Sequence, residues 1–195
     1  MAELFALVYS CVARPWPDMS AADFKICLQH LLQLKNGKEQ FHLEMLGPKG
    51  KTALRVGVES MSIDYIRMLL ECGADPNAII PSAQNGSKSM HPTCLQYAVF
   101  HGRYDVAKLL LEYGAWVDWT GGRSAALHLA ACTGNLPLVT LLLDHNASVD
   151  MPDMLGRSAL HLAALQGHLD ITSLLMEHGA DINGTLGEQR ITVEG

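Results

Sequence analysis

Three observations predict an all-α chain built as a solenoid of stacked helix-turn-helix units. The stretch 156–184, GRSALHLAALQGHLDITSLLMEHGADING, reads as a turn, a short helix, a second turn, a longer helix and a glycine exit. The chain does nearly the same thing earlier. Leu127-His128-Leu129-Ala130-Ala131 stands where Leu160-His161-Leu162-Ala163-Ala164 stands later, an offset of 33 (160 − 127). Self-similarity at that period marks a repeat stack, in which each unit buries its apolar face only against its neighbours. The composition agrees: 49% of residues are hydrophobic, 17% charged and only 6% aromatic. Leu and Ala carry the apolar mass, which suits small helices packed closely.

The N-terminal part, 1–46, is a degenerate first repeat or an N-terminal helical cap. Residues 2–13 are helical in pattern, and Pro15 and Pro17 then break the helix. Ser20 is a good N-cap for a second helix from about Ala21 to Leu34. Phe24, Cys27, Leu28 and Leu31 fall on one face of it, and Asn36-Gly37 closes it. From residue 47 the repeat is clear, in units at 47–77, 89–118, 119–150 and 151–184. The Leu54-to-Leu95 offset is 41 (95 − 54), so extra residues sit in the connection. That insertion, 78–88, is rich in turn formers and is either a spacer or a second recognition element. The next offsets are 32 (127 − 95) and 33. Residues 185–195 form a C-terminal tail.

Local chemistry supports each unit. Asp64, Asp105 and Asp170 fall in the first turns of the second helices, where a negative charge complements the dipole. Pro137 takes that place in the third unit, which a first turn tolerates. Gly73, Gly114 and Gly179 mark left-handed helix exits. The remaining exit is Asn146, the next residue able to adopt that conformation. Its sequon, Asn146-Ala147-Ser148, is therefore accidental.

The units resemble ankyrin repeats. The family pattern T-P-L-H-x-A-A-x-x-G-H appears as Ser158-Ala159-Leu160-His161-Leu162-Ala163-Ala164-Leu165-Gln166-Gly167-His168. The second half, L-L-L-x-x-G-A-D-x-N, appears as Leu174-Leu175-Met176-Glu177-His178-Gly179-Ala180-Asp181-Ile182-Asn183. The match covers about 47–184 and weakens toward the N-terminus, where Arg55 replaces the His and Met61 the turn Gly. The resemblance implies short β-hairpin fingers between units, and histidines such as His128 and His161 that hold repeats together. It also implies a concave surface that binds a protein or peptide.

No catalytic or cofactor pattern accompanies this scaffold. Nine histidines show no H-x-x-x-H or Cys/His ligand spacing, and no phosphate-loop motif occurs. The five cysteines are scattered and odd in number, which reads as reduced thiols in a cytoplasmic or nuclear protein. No apolar run approaches the roughly 20 residues of a membrane span. A net charge of −6 argues against a nucleic-acid surface. The reading is a non-enzymatic interaction module with no metal and no cofactor. A rival reading makes the chain the ankyrin part of a larger adaptor, such as a ubiquitin-ligase substrate receptor or BTB-type protein, or a regulator docking on an enzyme. The oligomeric state stays open.

By register with the family, candidate partner-binding residues are Lys49, Lys51, Met90, Phe100, His101, Trp116, Trp119, Met154, Leu155, Arg157, Leu165 and Gln166. Met154, Leu155 and Leu165 stand out because those sites are usually polar in a soluble repeat. Exposed apolar groups on one surface mark a partner site, the alternative being contact with a neighbouring finger. Trp116 stands where other units have Asp75, Ser148 and Asp181. It and Trp119 either anchor a partner or lie over the seam between repeats.

Overall fold

A computed structural model describes residues 52–60, 63–78, 92–120 and 124–183. Expectations for 1–46, for most of the insertion and for the C-terminal tail lie outside these residues. The described chain holds eight helices in four consecutive pairs: α1 (Ala53–Ser60) with α2 (Ile63–Glu71), α3 (Cys94–Phe100) with α4 (Tyr104–Glu112), α5 (Ala126–Thr133) with α6 (Leu136–Asp144), and α7 (Ala159–Gln166) with α8 (Leu169–Glu177). Each has seven to nine residues, short of the roughly 12–15 an isolated helix needs in water. Packing, not propensity, holds them. The fold is all-α, paired helices stacked in the manner of ankyrin repeats.

Two compact units are present. One contains α1 and α2, with Leu54 and Val58 buried on α1 and Ile66 and Leu69 on α2. The other runs from Leu95 to Leu111 and from Ala115 onward. In it α5 packs on α7 and α6 on α8. Equivalent positions repeat the same core: Leu95, Leu127 and Leu160 with Ala98, Ala130 and Ala163 on the first helices, and Val106, Leu138 and Ile171 with Leu110, Leu142 and Leu175 on the second, all buried. Alanine at the close positions lets the first helices approach, and leucine fills the wider gap behind them.

The helix exits are built alike. The N–H of Ala74 donates to the Leu69 carbonyl, Ala115 to Leu110, Ala147 to Leu142 and Ala180 to Leu175, each at 2.9–3.0 Å. That wrap requires a left-handed residue just before the alanine. Asn146 supplies it with φ of 61°, the one non-glycine residue at positive φ among those described. The sequence expectation for this exit is met. Asn135 caps α6 by accepting from the Leu138 N–H at 3.2 Å, and Pro137 sits in the first turn.

Among the described residues the fingers form no strand. The finger before α7 is a hydrogen-bonded turn: Asp153 N–H donates to the Arg157 carbonyl at 2.8 Å and Gly156 N–H to the Asp153 carbonyl at 2.9 Å. A two-stranded ladder this short is marginal in water, and Pro152 brings no N–H to it.

Candidate protein-interaction surface

The fingers are held from below by one recurrent device. Arg55, Gln96 and His128 occupy the same position of α1, α3 and α5, with offsets of 41 (96 − 55) and 32 (128 − 96). Arg55 Nη1 donates to the carbonyls of Pro92 at 2.6 Å and Thr93 at 3.4 Å. Gln96 Nε2 donates to the carbonyls of Trp119 at 2.8 Å and Ser124 at 2.7 Å. His128 Nε2 meets the carbonyls of Met151 at 2.8 Å and Arg157 at 3.1 Å. The His128 tautomer follows from its other nitrogen: Nδ1 accepts from the Ala125 N–H at 3.2 Å, so Nε2 carries the proton. Gln96 and His128 thus clamp both ends of a finger, and Arg55 holds the segment that leads into α3. Burial pushes the His128 imidazole below its ordinary 6.5; the two carbonyls and the charge of Asp153 pull the other way without overcoming it, and Arg157 adds to the lowering.

The last finger has a second lock. Asp153 is buried yet charged, and Oδ1 accepts from the N–H groups of Leu155 at 2.8 Å and Arg157 at 2.9 Å. Oδ2 accepts from Arg157 Nε at 2.9 Å and Nη2 at 2.7 Å. Burial raises the Asp153 carboxyl, but these bonds and the guanidinium charge outweigh it and hold the group below its usual range. The turn is therefore rigid, and it lifts Met154 and Leu155 into solvent, 59% and 54% exposed.

A second ladder ties the finger bases together. Asp118 Oδ1 accepts from the Ser148 N–H at 3.0 Å, and Asp150 Oδ1 from the Asp181 N–H at 2.9 Å. In the first unit Asn77 Nδ2 donates to the Gly114 carbonyl at 2.9 Å.

Of the candidate residues, Lys49, Lys51 and Met90 lie outside the described ones. Phe100, 58% exposed, and Leu165, 71% exposed, end α3 and α7 at equivalent positions, with exposed Cys132 between them in register. His101 is exposed and packs between aromatic rings, 4.3 Å from Tyr97 and 5.2 Å from Phe100 by centroid. Gln166 is exposed beside Leu165. Trp116 and Trp119 stack on each other, 5.4 Å apart and tilted by 40°, with Trp116 half exposed and the Trp119 carbonyl engaged by Gln96. Arg157 is committed inward: its side chain to Asp153, its carbonyl to His128. Sequence reading passes over Gln96, which breaks the histidine pattern while doing its work, and over Asp153, whose spacing of four from Arg157 across Gly156 is the mark of a closed turn.

No group of three or more His, Cys, Asp or Glu side chains gathers as a metal-ligand set among the described residues. No helix among them is long and apolar enough to cross a membrane. Cys72, Cys94 and Cys132 are thiols and form no disulfide.

Comparison with known proteins places the stack. A family model described as ankyrin repeats (three copies) matches residues 19–120 and again 118–185. The chain is 30% identical over 137 residues to the human palmitoyltransferase ZDHHC13, covering 69% of this chain and 20% of that protein. It is 34% identical over 142 residues to the mouse B-cell lymphoma 3 protein homolog, covering 68% of this chain and 30% of that one. A Caenorhabditis elegans homolog of transient receptor potential cation channel subfamily A member 1 matches at 28% over 116 residues, 60% of this chain and 9% of that protein. The chain thus spans less than a third of the length of these relatives. Two family matches that run together from 19 to 185, over paired helices with recurrent caps, clamps and glycine or asparagine exits, establish that this chain belongs to the ankyrin repeat family.

Proposed function

We propose that the chain is a protein-interaction module without catalytic activity, working in the cytoplasm or nucleus. It binds a protein or peptide through the fingers and the exposed ends of its first helices, the side that ankyrin stacks make concave. The observation that carries this reading is the locked finger. A buried Asp153 held by Arg157 and backbone N–H groups fixes a turn whose purpose inside the fold is already served by His128. What the lock adds is a rigid presentation of Met154 and Leu155 to solvent, and rigid apolar groups bind with little ordering cost. Phe100 and Leu165 extend the apolar surface along the first helices, and the Trp116–Trp119 pair supplies the residue type most frequent at interface hot spots.

The test compares capture of partners by the full chain and by its Trp119→Ala, Met154→Ala, Leu165→Ala triple variant. Two of these side chains are mostly in solvent and Trp119 is half-buried, so the variant stays folded, checked by its helical circular dichroism and melting curve. Partner recovery falls at least about tenfold, since hot-spot truncations cost roughly 2 kcal/mol each. Undiminished recovery by a folded variant sinks this surface.

A second reading makes the stack the recognition part of a larger adaptor, such as a ubiquitin-ligase substrate receptor or a BTB-type protein, or a regulator docking on an enzyme. It is favoured by the relatives, in which the matched stretch is 9–30% of proteins with unlike names. Recovery of a cullin-containing assembly or of one enzyme would select within it.

A further inference from the structure

The exposed ends of the first helices carry two rows of side chains in register. Phe100, Cys132 and Leu165 form the first, with offsets of 32 (132 − 100) and 33 (165 − 132), and all three are exposed. His101, Thr133 and Gln166, the next residue in each case, form the second and are exposed as well. All six lie in the second compact unit. The turns that follow them abut: a Cβ on Gly102 would meet Asn135 Nδ2 at 3.5 Å, and one on Gly134 would meet the His168 ring. The rows therefore run side by side across three repeats. The first row is apolar, since a cysteine behaves as a small hydrophobe. The second forms hydrogen bonds without charge. Thr133 spends its proton on the Leu129 carbonyl at 2.9 Å, whereas the His101 ring and the Gln166 carboxamide have no hydrogen-bond partner among the described residues.

Charge, spacing and hydrogen bonding together select an occupant. Helices α3, α5 and α7 contain no Asp, Glu, Lys or Arg, whereas α4, α6 and α8 carry six between them. A charge brought onto the first helices would lose water and find no counter-ion on them, so the occupant is uncharged where it touches. Neighbouring packed helices lie about 8–10 Å apart, which sets the step from one apolar site to the next. A strand returns a side chain to the same face after about 6.6 or 13 Å, and misses that step. A polyproline-II segment turns once in three residues, rises about 9.3 Å, and meets it. An α-helix also meets it, at about 10.5 Å for seven residues, but spends its carbonyls internally. The polyproline-II backbone has no internal hydrogen bonds, so its carbonyls are left for the donors of the second row.

We propose that the Phe100, Cys132 and Leu165 row docks an uncharged polyproline-II segment of another protein. The segment sets an apolar side chain at every third position against that row and takes main-chain hydrogen bonds from His101 and Gln166. This names the partner's chemistry for the interaction surface proposed above, and it rests on that reading.

The test pans a library of random peptides, displayed on phage, against the full chain. The enriched peptides are expected to be uncharged and proline-rich, with apolar residues at i, i+3 and i+6. Synthetic copies bind the Leu165→Lys variant at least about tenfold more weakly than the parent, because the lysine is desolvated without a partner. Gln166→Ala and His101→Ala each weaken binding by up to about tenfold, the worth of one hydrogen bond. All three sites are exposed, and circular dichroism checks that each variant is folded. Several outcomes overturn the proposal: no enrichment, enriched peptides with heptad or alternating spacing or with charged residues, undiminished binding to Leu165→Lys, or binding unchanged in both Gln166→Ala and His101→Ala. If the triple variant above loses its partner while panning returns another spacing, this inference fails and the surface stands. If the triple variant keeps its partner, the surface fails and this inference with it.

Discussion

His128 shows how much of a repeat rests on one side chain. It satisfies three backbone groups at once: the Ala125 N–H and the carbonyls of Met151 and Arg157. A buried polar group left without a partner costs about 1–3 kcal/mol, so His128→Ala is expected to lower stability by roughly 2–4 kcal/mol. His128→Gln keeps both carbonyl bonds, as Gln96 does, and is expected to cost no more than about 1.5 kcal/mol, the worth of one lost bond. The two variants also separate in their pH response. Burial lowers the imidazole in the fold, so the unfolded chain takes the proton first. Stability is then constant above about pH 6.5 and declines as pH falls through that value toward the folded one. Urea midpoints on both sides of that pH should show the decline in the parent and a smaller one in His128→Gln. Equal slopes would mean that His128 does not titrate between the two states. Asp153 acts in a separate and lower window, below its ordinary 3.8, where its stabilisation is lost as pH falls. The Leu-His pattern announced His128 in the sequence. It did not announce Arg55 or Gln96, because the clamp selects a donor that reaches two carbonyls and not a residue type.

The turn between paired helices carries a constraint that sequence conceals. Gly134 and Gly167 end α5 and α7 at equivalent positions with nearly the same φ, 73° and 77°. A Cβ on Gly167 would meet nothing within 4 Å, whereas on Gly134 it would lie 2.5 Å from His168 Cε1. The ring of His168 closes over Gly134 from the next repeat, with Nε2 3.4 Å from the Cys132 carbonyl. Both Gly→Ala changes therefore carry the left-handed penalty of about 1–2 kcal/mol, and Gly134→Ala adds a clash. It is expected to be the more destabilising by about 1 kcal/mol or more, within the usual overpacking cost. In a His168→Ala background the difference should vanish. A difference that survives there would assign the cost to the backbone alone. Helices, caps and exits follow from local chemistry, and even the left-handed Asn146 was readable. Fingers were not: whether they form strands or a locked turn depends on Asp153 reaching back to Leu155 and Arg157, a contact that periodicity does not encode.

Across the stack, stability is shared between neighbours. Helices of seven to nine residues do not persist alone, so within the second unit each pair is held by the pairs beside it. Position in the stack then decides what a core change does, even where burial is the same. Leu142 on α6 and Leu175 on α8 are equivalent and fully buried. Each, changed to Ala, loses about 2–5 kcal/mol of local packing. Leu175 lies in the last described pair, so Leu175→Ala should speed amide exchange in α7 and α8 while α3 and α4 keep their protection. Leu142 lies between two pairs, so Leu142→Ala should release α7 and α8 together with α5 and α6, and weaken α3 and α4 as well. The exposed site residues belong to the same pattern. Register with the repeat placed Phe100 and Leu165 on the surface, but the pairing of Trp116 with Trp119 and the inward commitment of Arg157 arise from contacts specific to this chain. Hydrogen exchange resolved by helix would decide the point: if Leu142→Ala loosens α5 and α6 alone, the pairs fold independently and the finger surface is a set of separate parts. If it releases α5 through α8 together and weakens α3 and α4, one cooperative stack presents Phe100, Leu165 and the locked Met154–Leu155 turn as a single rigid surface.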